Sequence, residues 1–156
     1  MCILGIDPGL ATTGWAVVDF NNDLDPNVVD YGAVTTPKGC TVSERLVEIY
    51  DDISELVEKF KPDLAGIETL IFCKNITSAM SVGEARGVVR LVLEKSNIPI
   101  REFTPLQIKD AVTGYGKADK KQVQENVKML CGLEDIPKPD DAADAIAVAI
   151  AASRVL

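Results

Sequence analysis

Asp7 ends an apolar run, Cys2-Ile3-Leu4-Gly5-Ile6, and Pro8-Gly9 follows at once. Such a run reads as a buried strand that carries a carboxylate to its tip, where a turn takes the chain away. Aspartate is poor in strands and costly to bury unpaired. A bound cation would compensate it; a plain turn aspartate ahead of Pro-Gly is the competing explanation. Glu68 follows Leu64-Ala65-Gly66-Ile67 in the same way, and glutamate at the end of a buried strand has no routine structural job. Asp141 and Asp144 open the last apolar helix at i,i+3 spacing and so share one helix face. Acids in a first turn also complement the helix dipole, which is their structural explanation. Oxygen-only ligands select Mg²⁺ or Mn²⁺ over zinc or copper. Two such ions roughly 3.5–4 Å apart activate a water and stabilise the leaving oxygen in phosphodiester cleavage.

The chain has no histidine. That excludes Ser-His and Cys-His nucleophile activation, imidazole acid/base work and the common His-zinc sites. Four cysteines, Cys2, Cys40, Cys73 and Cys131, form no CxxC pair and suit single thiols in a reducing compartment, so a cytoplasmic protein is expected. No apolar run is long enough to span a bilayer, and no positive n-region or cleavage site marks a signal peptide. The net charge of −8 argues against a nucleic-acid partner, but residues 74–128 hold ten Lys/Arg against six Asp/Glu. A basic face beside an acidic metal site and a mixed solvated surface both fit that asymmetry.

The elements that must position these acids follow from pattern. Residues 2–7, 13–19 and 28–35 read as a three-strand meander with short turn-rich links such as Asn21-Asn22-Asp23. A helix is expected over 42–60, opened by a Thr41-x-x-Glu44 capping box and stopped by Lys61-Pro62. Leu64–Glu68 and Ile100–Phe103 read as further strands. Helices are expected over 77–95, from Thr104-Pro105 to about 112, over 119–130 and over 140–155. Gly83-x-x-x-Gly87 in the second helix makes sense where another helix packs closely, in this chain or a partner's. The order implies one α/β domain over residues 1–156, a mixed sheet of an antiparallel meander plus parallel strands, with helices on both faces.

Gly5-Ile6-Asp7-Pro8-Gly9, Ile67-Glu68, Ala85-Arg86-Gly87 and Asp141-Ala142-Ala143-Asp144-Ala145 resemble the RuvC family of bacterial Holliday-junction resolvases. Lys74-Asn75 and Lys120-x-Gln122-Val123 are similar to it as well, so the resemblance runs in order over essentially the whole chain. It implies a ribonuclease H-like fold, a homodimer and Mg²⁺-dependent paired nicking of two opposed strands of a four-way junction in recombination and repair. By resemblance Asp7 bridges two ions, with Glu68, Asp141 and Asp144 completing the site, and Mn²⁺ substitutes. Products would carry 5′-phosphate and 3′-hydroxyl ends, and the RuvAB branch-migration motor is the implied partner. The family's D-A-A-D pattern selects Asp141 over Asp140, which then reads as a helix cap.

Lys109, Lys117, Lys120 and Lys121 cluster around Gly114-Tyr115-Gly116, a setting suited to phosphate contact. Lys109 and Lys120 match family positions for DNA, and Lys74 of the family-like Lys74-Asn75 is a further candidate DNA contact; Lys117 and Lys121 follow by proximity, with solvated helix charge as the alternative. Phe72 is a candidate wedge on a base step, one place beyond the family's aromatic, or else a core residue. Tyr115 is an alternative contact. Gly5-Ile6-Asp7-x-Gly9 also resembles the first phosphate loop of actin-like ATPases, but those need two domains and a second glycine-rich loop. A decayed, non-catalytic junction binder would have lost a carboxylate. A related nuclease on RNA or other branched DNA is the nearest alternative.

Overall fold

The computed structural model describes residues 1–21, 25–69 and 76–154. Phe72 and Lys74 therefore lie outside the described residues, as does most of the Asn21-Asn22-Asp23 turn. Five strands, β1 (Cys2–Asp7), β2 (Thr12–Phe20), β3 (Pro26–Thr35), β4 (Leu64–Glu68) and β5 (Ile100–Phe103), form one sheet in the order β3-β2-β1-β4-β5. The first three pair antiparallel and β1-β4-β5 pair parallel. β1 is thus the central strand, and Asp7 and Glu68 end adjacent parallel strands in register, since Ile6 pairs with Ile67. β2 and β3 reach further than expected, because Asp19 and Phe20 find ladder partners in Asn27 and Pro26 despite their turn-like composition.

Helices α1 (Val42–Phe60), α2 (Ile76–Lys95), α3 (Pro105–Thr113), α4 (Lys120–Leu130) and α5 (Asp140–Ser153) follow the expected order. Thr41/Glu44, Thr104/Gln107 and Asp119/Gln122 each close a full capping box. Asp119 is thus the cap of α4 and not its first residue, and α5 stops at Ser153 instead of continuing to 155.

Strand alternation assigns the two faces. Leu4, Ile6 and Ile67 share a core layer with Ile49, Ile53 and Val57 of α1 and Val89 and Leu93 of α2. Ile3, Leu64 and the alanines of α5 make the other layer, with α3 and α4 outside them. Asp7 and Glu68 have the same parity as Ile3 and Leu64, so both face the α5 side. α2 is tied to β5 by Arg86, whose Nη2 lies 2.8 Å from Glu102 Oε1, with Arg90 Nη1 at 3.3 Å from the same oxygen. Gly87 does not serve close packing within the chain: it is exposed, and a Cβ there would meet nothing within 4 Å.

Candidate active site

The acids of α5 reach the sheet because the strands give way beneath the helix. A Cβ on Gly14, the ladder partner of Asp7, would overlap the backbone of Asp141. A Cβ on Gly5 would overlap the Ala145 carbonyl and lie 2.8 Å from the Ala149 nitrogen. A Cβ on Gly66 would lie 3.1 Å from Ala152 Cβ and from the Val148 carbonyl oxygen. Residues 141, 145, 148, 149 and 152 form one stripe of α5, and Asp144 adjoins it at the end beside Asp7 and Glu68. The contact that sets the helix height also sets the carboxylates. On the sheet side, Thr13 pins the turn after Asp7: its Oγ1 donates to the Gly9 carbonyl at 2.7 Å and accepts from the Gly9 N–H at 3.3 Å. Glu68 is held by the next residue, Thr69, whose N–H donates to the Phe103 carbonyl at 2.8 Å.

Electrostatics shows what this proximity costs. Burial, then the charges of Glu68, Asp144 and Asp141, push the Asp7 carboxyl up to about 8, with Lys120 opposing. Burial and Asp144 raise Glu68, while a hydrogen bond from Asp7 and the charge of Lys109 pull it back. Burial also raises Asp144, against the pull of Lys120. Protonation of the Asp7 carboxyl would offset part of this repulsion, and the Lys120 ammonium beside Asp144 offsets another part, as a cation would. Lys120 Nζ lies 3.3 Å from Asp144 Oδ2 and 3.5 Å from Asp140 Oδ2. No group of three acids lies close enough to hold an ion among the described residues. The donor set itself is all oxygen and over-charged for its burial, which suits a hard divalent ion.

Asp140 is not a cap. Pro139 occupies the N-cap position with no side-chain hydrogen bond. Asp140 turns outward to Lys138, 3.3 Å away, and to Lys120, and both hold its carboxyl below the ordinary range, Lys138 most. Lys109 and Lys120 line a cavity of about 250 Å³ with Glu68 and Asp144. Lys117 and Lys121 are exposed and do not line it, and Tyr115 is exposed on its loop. The other flank of the acids carries no signal in the sequence. There a groove of about 480 Å³ is lined by Asp141, the Gly9–Thr12 turn, Ser81 and Arg45. No local pattern marks Arg45, whose hydrogen-bond partner, Thr36, sits nine residues earlier across a strand end.

Residues 3–152 match the family model described as crossover junction endodeoxyribonuclease RuvC. The chain belongs to the RuvC family. A protein of that description from Chloroflexus aurantiacus is 51% identical over 150 residues, covering 96% of this chain and 91% of the relative. One from Treponema denticola is 52% identical over 149 residues, covering 96% and 83%. Among solved structures, a Thermus thermophilus RuvC in complex with Holliday junction substrate superposes with a TM-score of 0.92 at 30% identity, covering 97% of this chain and 92% of that one. A fowlpox virus resolvase, at 12% identity and a TM-score of 0.59, shares the fold. The sheet and its flanking helices are thus those of the ribonuclease H-like α/β architecture that the family's motifs imply.

Proposed function

We infer that residues 1–156 act as one nuclease domain that resolves Holliday junctions by paired nicks in two opposed strands, in recombination and repair. The observation that carries the chemistry is the meeting of Asp7, Glu68, Asp141 and Asp144 where β1 and β4 end beneath the start of α5, with the Asp7 carboxyl pushed up to about 8. Such a group gains most from a cation. Asp7, central among the four, would hold Mg²⁺ together with Glu68, Asp141 and Asp144, and the number of carboxylates suits two ions, Mn²⁺ substituting. Bound there, the metal would supply Lewis-acid activation of water and charge stabilisation at the leaving oxygen, giving 5′-phosphate and 3′-hydroxyl ends.

The protein's own groups do the rest. With water as the attacking group, no protein nucleophile is needed, which agrees with a chain that has no histidine to activate one. Lys109 and Lys120 face the cavity lined by Glu68 and Asp144 and would hold the phosphate beside the acids. Lys120, 3.3 Å from Asp144 Oδ2, would be the one to turn from the acid to the phosphate. Lys117 and Lys121 would act at longer range, through charge on the same flank. Phe72 and Lys74, by family resemblance, would add a base wedge and a backbone contact.

Pairing of nicks calls for two active sites. α2 presents Ile76, Met80 and Leu91 at 75, 63 and 53% exposure, beside the open Gly87, and this face supports a homodimer. No helix among the described residues is long and apolar enough to cross a membrane, and we place the enzyme in the cytoplasm, working beside the RuvAB motor as its family does. The decisive test is cleavage of a labelled synthetic four-way junction beside linear duplex of the same sequence, with Mg²⁺ and with EDTA. Symmetric metal-dependent nicks in the junction alone are expected. Tight binding without cleavage would point to a junction-binding protein, and cleavage of RNA hybrids in preference would point to a different nuclease.

A further inference from the structure

Lys109 and Lys120 account for one flank of the carboxylates. The other flank is the groove of about 480 Å³ past Asp141, and it is a built surface. One wall is the turn Gly9–Thr12, which leaves Asp7 directly; the other is the beginning of α2, with Ser81; Arg45 of α1 also lines it. Arg45 is anchored from behind. Its Nε donates to Thr36 Oγ1 at 2.7 Å, and Thr36 is 4% exposed and donates in turn to the Leu10 carbonyl at 2.6 Å. The plane of the guanidinium is thereby tied to the same turn that carries Asp7.

That anchor uses one of the five N–H donors of the guanidinium. The terminal nitrogens make no ion pair with a carboxylate among the described residues. Residues 1–73 carry thirteen acids against four bases, so an arginine there without an acidic partner is not for want of acids. An oriented, unpaired guanidinium in a groove beside a cluster of acids is complementary to a planar pair of phosphate oxygens.

We propose that Arg45 binds a backbone phosphate of the junction strand on the Asp141 side of the cleavage point, opposite Lys109 and Lys120. The strand is then gripped on both flanks of the carboxylates, and the Arg45–Thr36–Leu10 relay keeps the outer grip in step with the turn that carries Asp7. This assignment rests on the reading of the protein as a junction resolvase.

The test is a binding titration by fluorescence anisotropy of a labelled four-way junction at several KCl concentrations. The full chain carries Asp7→Asn so that the DNA stays intact, and is compared with the same chain also carrying Arg45→Gln or Arg45→Lys. Thermal melts establish that each variant is folded. For Arg45→Gln, the slope of log K against log salt should fall by roughly 0.9 for each Arg45 engaged, with affinity lower by about 5–10-fold near 100 mM KCl. Arg45→Lys should keep the parent slope with a smaller loss of affinity. An unchanged slope in Arg45→Gln, whatever the affinity does, would overturn the assignment and leave Arg45 a support for the turn. A parent protein that does not prefer the junction over duplex would instead remove the resolvase reading, and the Arg45 clamp with it.

Discussion

On one face of the sheet Leu4, Ile6 and Ile67 share a layer with Ile49, Ile53, Val89 and Leu93. On the other, Gly5, Gly14 and Gly66 lie against α5, two of them against its backbone. The first face is spaced by side chains, which have rotamers and can yield by a few tenths of an ångström. The second has backbone on backbone at Gly5 and Gly14, where no side chain lies between strand and helix. The acids lie on the second. A layer of branched aliphatics would hold α5 near the sheet; glycines hold it at one height, and Asp141 and Asp144 inherit that precision. The molecule thus separates a deformable layer that contributes hydrophobic stability from a stiff one that positions charge.

The largest effect expected from the stiff face is chemical. Asp7→Asn keeps the size and removes the charge, so cleavage of a four-way junction should fall by about 10³-fold or more while junction binding stays within a few-fold of wild type. Gel assays of nicking and anisotropy of binding report the two separately. Full activity in Asp7→Asn would detach the central acid from the reaction.

Next comes Gly5→Ala. The added methyl would overlap the Ala145 carbonyl, so α5 must lift. Urea denaturation should show a loss of about 3 kcal/mol or more, at the upper end for overpacking because the obstacle is backbone. Lifting α5 also moves Asp141 and Asp144, so cleavage by the folded variant should drop by about 10²-fold. A variant as stable and active as wild type would mean that the face is not stiff.

How much of this contrast could be read before the fold was known differs by residue. Asp7 and Glu68 were legible because an acid at the end of an apolar run violates the pattern around it. The α/β class, the five strands and the five helices were legible from period and punctuation. Gly5 and Gly66 were not, since a glycine inside a strand reads as a weak point until the helix above it is placed. Asp140 reads as a cap because an acid at a helix start suits that position, and only the placement of Pro139 there, with Asp140 paired to Lys138, shows otherwise. Lys117, Lys120 and Lys121 look alike in sequence, and only the fold shows that Lys120 lies beside the acids, 3.3 Å from Asp144 Oδ2. Arg45 depends on a contact with Thr36 that no helix or strand period encodes.

The stiff face should also carry a pH signature in the absence of metal. With its carboxyl at about 8 in the fold and in the ordinary range when unfolded, Asp7 holds its proton more tightly in the native state. The native state then binds more protons between about pH 4 and 8, so its stability is full below that window and falls as pH rises through it. Glu68 and Asp144 are shifted in the same direction and add to the slope. Thermal melts in EDTA should show Asp7→Asn exceeding wild type by about 5 °C at pH 8, with the difference closing towards pH 4. Added Mg²⁺ should restore wild type and leave Asp7→Asn largely unmoved. A gap that is constant with pH would mean that neither burial nor the neighbouring acids raise the Asp7 carboxyl in the fold.

The smallest effect is reserved for the deformable face. Ile53 is fully buried between α1 and the sheet, among side chains that can shift toward a vacated methyl. Ile53→Val should cost about 0.5–1.5 kcal/mol in urea denaturation. Cleavage by the folded protein should stay within two-fold, because relaxation in that layer is absorbed by neighbouring rotamers and does not pass through the strands to α5. Set beside Gly5→Ala, which adds one methyl where Ile53→Val removes one, it asks whether the sheet insulates the acids from the core behind it. A loss of activity in Ile53→Val out of proportion to its stability would show that the two faces are mechanically coupled, and the division of labour between them would have to be given up.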